Sequence, residues 1–125
     1  MKNQQPSKYV FVYNAQSGRL HGLMDAAHKL LSPSTYACKL CALTYGVWTE
    51  NETWKTFQES FPVPLEFLHI DEFKKNYPGV YRKFNGFPFV LALQADGGWE
   101  IFISREEFEK MGSLDELIGK MKEST

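Results

Sequence analysis

Cys38 and Cys41 are the only two cysteines of the chain, and two residues separate them. A thiolate is both the nucleophile of disulfide exchange and a metal ligand, so a pair at this spacing suits either chemistry. The pair sits in the stretch Ser32-Pro33-Ser34-Thr35-Tyr36-Ala37-Cys38-Lys39-Leu40-Cys41-Ala42-Leu43-Thr44-Tyr45-Gly46. With Thr35 as N-cap, Cys38 takes the third helical position and Cys41 follows one turn on, on the same face. Gly46 then suits a left-handed C-cap. A strand over Ala42–Trp48 is the weaker alternative. The positive end of the helix dipole and the charge of Lys39 favour a thiolate at Cys38, which makes Cys38 the attacking sulfur and Cys41 the resolving one.

Zinc is the second chemistry open to these residues. Cys-x-x-Cys is half of a tetrahedral site, and His28, ten residues before Cys38, can fold back as a third ligand. His21 and His69 are further donors, and Asp25 can serve as a ligand or orient one. Neither a second Cys-x-x-Cys nor a His-x-x-x-His completes the set. A third reading assigns the thiols no chemistry, since free cysteine is among the most buried residue types.

The elements that must hold this pair follow from periodicity. A length of 125 residues points to one domain over 8–125, behind a polar tail over 1–7. The run Lys8–Tyr13 is apolar on both faces, as a central strand covered on each side must be. After the turn-rich Asn14–Gly18, the residues Leu20, Leu23, Met24, Ala27 and Leu31 recur at helical spacing, predicting a helix over about 19–31. Pro33 ends it. An insertion of about 32–64 follows. It contains the dithiol segment and a second helix, opened by Thr49 or Asn51, with Trp54, Phe57 and Phe61 on its apolar side and Pro62 and Pro64 closing it.

Leu65–Ile70 reads as a second strand. Asp71 reads as the cap of a short helix over Glu72 to about Tyr77, stopped by Pro78 and Gly79, and Val80–Phe87 as a loop carrying Arg82 and Lys83. Pro88–Leu93 is a third strand, Asp96-Gly97-Gly98 a two-residue hairpin turn, and Trp99–Ile103 the fourth strand. Ser104 with Glu107, and Ser113 with Glu116, form capping boxes, the second the better. The latter opens a final helix with Leu114, Leu117, Ile118 and Met121 on one face.

Strands joined by a helix are parallel by the right-handed crossover rule, and hairpin strands are antiparallel. This order of elements, with Pro88 directly before the third strand, resembles the thioredoxin-like fold. The resemblance covers roughly residues 8–31 and 65–123. It implies an α/β protein with a mixed four-stranded sheet, helices on both faces, and a cis-proline at Pro88. The loop that holds Cys-x-x-Cys in that family is here Asn14-Ala15-Gln16-Ser17, with Asn and Ser in place of both cysteines, and the actual pair falls in the insertion. The family also lays extended peptides or glutathione against the backbone before that proline. The resemblance therefore implies a second candidate site, with Asn14, Ser17, the basic Arg82–Lys83 and Pro88 receiving a peptide or an anion. The chain is also similar to a group of small bacterial proteins with a Ser-Pro-Ser-Thr-Tyr-x-Cys-x-Leu-Cys stretch, some labelled GTPases. No phosphate loop supports that label: Gly119-Lys120 is followed by Met121 within the last helix.

A formal net charge of −1 gives no long-range field toward nucleic acid or an anionic membrane. No apolar run approaches the roughly 18 residues of a spanning helix, and Met1–Lys8 has no apolar centre, so the chain is expected in the cytoplasm. In that reducing compartment a Cys-x-x-Cys is a redox or metal motif rather than a staple. No Ser/His/Asp triad or carboxylate pair is present. The expected function is thiol-disulfide exchange on a protein or small thiol substrate, with a zinc-stabilised or partner-binding module as the alternative.

Overall fold

A computed structural model describes residues 5–14, 39–44 and 52–123, except for the side chains of Lys39 and Cys41. Its strands are β1 (Lys8–Val12), β2 (Leu65–Leu68), β3 (Phe89–Leu93) and β4 (Trp99–Ile103). The described helices are α1 (Lys39–Thr44), α2 (Glu52–Ser60), α3 (Ile70–Asn76), α4 (Pro78–Lys83), α5 (Arg105–Lys110) and α6 (Leu114–Lys122). The strands form one mixed sheet in the order β2-β1-β3-β4. β1 runs parallel to β2 and antiparallel to β3, and β3 runs antiparallel to β4, as the connections require.

Strand β1 is buried on both faces because each face carries its own core. Tyr9, Phe11 and Tyr13 join Trp54 and Phe57 of α2, Leu40 of α1, Phe108 of α5 and Leu117 and Met121 of α6. Val10 and Val12 point the other way, with Phe89 and Leu91 of β3, toward Phe73 of α3 and the half-buried Val80 and Tyr81 of α4. The fold is thus mixed α/β with helices on both faces of a four-stranded sheet. The described part of the 32–64 stretch supplies α1 and α2, both to the first core.

Several sequence expectations are corrected. Strand β2 stops at Leu68 rather than Ile70, and His69, not Asp71, is the N-cap of the following helix. Helix α3 ends at Asn76, before Pro78 as expected, but Pro78 then opens α4, which holds Arg82 and Lys83 in place of the expected loop. Proline suits a first helical position because its missing N–H would have no partner there. Strand β3 begins at Phe89, with the buried Pro88 just outside it after a cis Phe87–Pro88 bond.

The hairpin loop is also longer than two residues. Gln94 N–H donates to the Gly98 carbonyl at 2.7 Å, which leaves Ala95, Asp96 and Gly97 as the loop. Gly97 takes φ +92°, the left-handed residue that such three-residue loops need. The two capping boxes exchange rank. Ser104 and Glu107 bond reciprocally, at 2.9 and 3.1 Å, whereas Ser113 Oγ lies 3.4 Å from Glu116 N and the Glu116 carboxylate accepts from Gly112 N–H instead. Ala42–Thr44 are helical, which removes the strand alternative there. The helix expected over 19–31, Thr35 and Gly46 lie outside the described residues.

Candidate functional site

The register brings two of the sequence-predicted site residues to one end of the sheet. Val12, the last residue of β1, pairs with Phe89, the first of β3, and with Leu68, the last of β2. Tyr13 continues the ladder by donating its N–H to the Leu68 carbonyl at 2.9 Å. Asn14, His69 and Pro88 therefore follow or precede strand ends that are hydrogen-bonded neighbours. The carboxyl ends of parallel strands are where open α/β sheets hold ligands.

His69 was not among the residues assigned to this end from sequence, yet it is the group there with chemical capacity. It follows Phe67 by two residues and shares its side of the sheet, where Tyr13 stacks on Phe67 at 6.3 Å and meets the His69 ring at 5.4 Å. Glu72, three residues on and one turn into α3, places one carboxylate oxygen 2.8 Å from His69 Nδ1 and 2.8 Å from the His69 backbone N–H. The backbone hydrogen bond, joined by that from the ring, holds the Glu72 carboxyl below the usual carboxylate range against the opposing effect of burial. A carboxylate oxygen accepts only, so Nδ1 is the ring nitrogen that donates in this contact. Nε2 is buried and has no hydrogen-bond partner among the described residues. A buried polar nitrogen left in that state costs about 1–3 kcal/mol, which a hydrogen bond from a ligand or partner would relieve.

The dithiol segment is described only in part. Cys38 and His28 lie outside the described residues, as does Ser17, and Cys41 stands on α1 between the fully buried Leu40 and the half-buried Ala42. Thr44, also buried, satisfies its hydroxyl by donating to the Leu40 carbonyl at 2.8 Å. Helix α1 packs against α5 and α6. Helix α5 leaves the sheet just after Ile103, which pairs with Val90, so it starts at the sheet end that carries Pro88. Among the described residues no group of three or more His, Cys, Asp or Glu side chains is placed to hold a metal ion. The ligand set of Cys38, Cys41 and His28 lies mostly beyond those residues.

Arg82 is exposed on α4. The same helix lines a groove with the hairpin loop, and that loop is at the opposite end of the sheet from Pro88. A polar network also lies toward that end. Lys8 Nζ donates to Glu66 Oε1 at 2.8 Å and to the Tyr77 hydroxyl at 2.7 Å, and that hydroxyl donates to the same Glu66 oxygen at 2.7 Å. The bond to Glu66 raises Lys8 above the ordinary lysine value. Burial pushes the Glu66 carboxyl up, but the hydrogen bonds from Lys8 and Tyr77 and the Lys8 charge outweigh it, so the net direction is down. The signal for this network was faint: Lys8 and Glu66 are the polar interruptions of two apolar strands that turn out to be neighbours.

No family model, curated protein or solved structure matches the chain. Among the described residues no helix is long and apolar enough to cross a membrane. The class rests on the observed architecture alone, a mixed four-stranded α/β sheet with helices on both faces.

Proposed function

We propose that the chain is a cytoplasmic, thioredoxin-like protein that carries out thiol-disulfide exchange through Cys38 and Cys41. The Cys38 thiolate attacks one sulfur of a substrate disulfide and the other substrate sulfur leaves as a thiolate. Cys41 then displaces the first substrate sulfur from the mixed disulfide. The substrate ends as a dithiol and the pair as a disulfide, so two electrons pass to the substrate.

The observation that carries the reading is the sheet order β2-β1-β3-β4, with parallel β1 and β2, an antiparallel hairpin after Pro88, and the Cys41 helix packed on the α5 that begins at that same end. A mixed four-stranded sheet with helices on both faces and a proline before its third strand is what the thioredoxin-like resemblance implies, and Cys41 stands on a helix within the insertion. The test uses a mixed-disulfide substrate and the two serine variants. Cys38→Ser should abolish exchange, and Cys41→Ser should accumulate the covalent adduct. Thiols that react only when the chain unfolds would overturn the reading, as would near-stoichiometric zinc masking Cys38 and Cys41, the outcome that points to a metal site with His28.

A second reading is favoured by His69. A buried Nε2 without a partner among the described residues, at the sheet end that also carries Asn14 and Pro88, suits a module that binds an extended peptide or partner by a hydrogen bond there. Binding that survives Cys38→Ser but is lost in His69→Phe separates it from the first.

A further inference from the structure

The groove between α4 and the β3–β4 hairpin uses neither cysteine and lies away from Pro88. Its volume is about 400 Å³, toward the smaller end of what small-ligand sites occupy. Val80, Phe84 and the half-buried Trp99 give it apolar and aromatic walls, and Lys83 is the single charged residue lining it. Gly79, Gly97 and Gly98 complete the lining without side chains, and a Cβ built on Gly79 or Gly97 would meet nothing within 4 Å. Trp99 is braced from behind by Tyr77, edge-on at 5.3 Å, which fixes one wall before any ligand arrives.

Asp96, on the hairpin loop, turns its carboxylate to the Gly98 N–H at 2.8 Å, and among the described residues it forms no ion pair with the charge in the groove. Lys83 and its neighbour Arg82 make no ion pair among the described residues, and no carboxylate lines the cavity. An aromatic ring beside Trp99 and Phe84 gains burial and ring-edge contacts, and an acid group on a short arm meets the Lys83 ammonium. A peptide added along β4 is a poorer fit, because a bulge opposite Val90 and Leu91 interrupts that edge strand. We propose that this groove is a binding site for a small aromatic carboxylate, its ring held by Trp99 and Phe84 and its charge by Lys83.

The test follows the backbone amides of the full chain by nuclear magnetic resonance while indole-3-acetate or its neutral amide is added. The acid should give saturable shifts concentrated at Gly79, Lys83, Gly97 and Gly98, and should bind about three- to fivefold tighter than the amide, the scale of a partly exposed ion pair. Lys83→Gln should erase that difference while leaving amide binding unchanged. Gly79→Leu places a side chain in open groove on a helix that tolerates it, and should block both probes with the fold intact. Equal binding of acid and amide would overturn the proposal, as would shifts scattered away from the groove or undiminished binding to Gly79→Leu. Tighter binding of the dipeptide Gly-Trp than of indole-3-acetate would also overturn it, by assigning the groove to peptide C-termini.

Discussion

One oxygen of Glu72 serves both the ring and the backbone of His69. A single carboxylate thus closes the first turn of α3 and holds the ring through Nδ1. The choice of His69 as cap was hard to read because Leu65–Ile70 is an unbroken apolar run, and Asp71 is the better capping type by preference. Only Glu72 three positions after His69 hinted at the observed geometry. Because this carboxyl is held below its ordinary value of 4.5, its contribution to stability is present above that value and is lost as pH falls through the lower folded-state value. Glu72→Gln should cost about 1 kcal/mol at pH 7 and less at pH 3. Urea titrations at the two pH values check this, and an equal cost at both would remove the charged hydrogen bonds from the account.

At the scale of elements, local chemistry decided the boundaries and periodicity decided the rest. Trp54 and Phe57 are the buried residues of α2, and Leu117 and Met121 those of α6, as their spacing requires. Boundaries were less legible where one residue has two uses. Pro78 can end a helix or begin one, and here it begins α4. Glu116 can reach its N-cap backbone or pass it, and it passes to Gly112. The completeness of the Ser104–Glu107 box against the long 3.4 Å contact at Ser113 gives an ordering of the two caps. Ser104→Ala should destabilise by about 1 kcal/mol and Ser113→Ala by less, measured by thermal unfolding. A larger loss at Ser113 would contradict the assigned geometry.

For the whole molecule, a sheet buried on both sides was legible because Val10, Val12, Val90 and Leu91 leave no polar face on β1 and β3. The convergence of Lys8, Glu66 and Tyr77 was not, since it depends on the parallel register of β1 and β2 and on where α3 ends. That register has a consequence for the stability of the entire chain. A formal net charge of −1 supplies little global repulsion near neutrality, so local groups shape the pH dependence. Glu66 is held below 4.5, so its share of stability is lost as pH falls through the lower folded value. Lys8 is held above 10.5, so its share is full below 10.5 and lost as pH rises through the higher folded value. Burial of Tyr77, whose value is raised from 10.0, penalises the phenolate and adds to the alkaline loss. Glu66→Gln removes the carboxylate at one end and the chief partner of Lys8 at the other. It should lower stability at pH 7 by about 1 kcal/mol and flatten both arms of the melting-temperature profile relative to the parent chain. Profiles that stay parallel from acid to alkaline pH would show that the network fixes geometry without contributing charge-dependent stability.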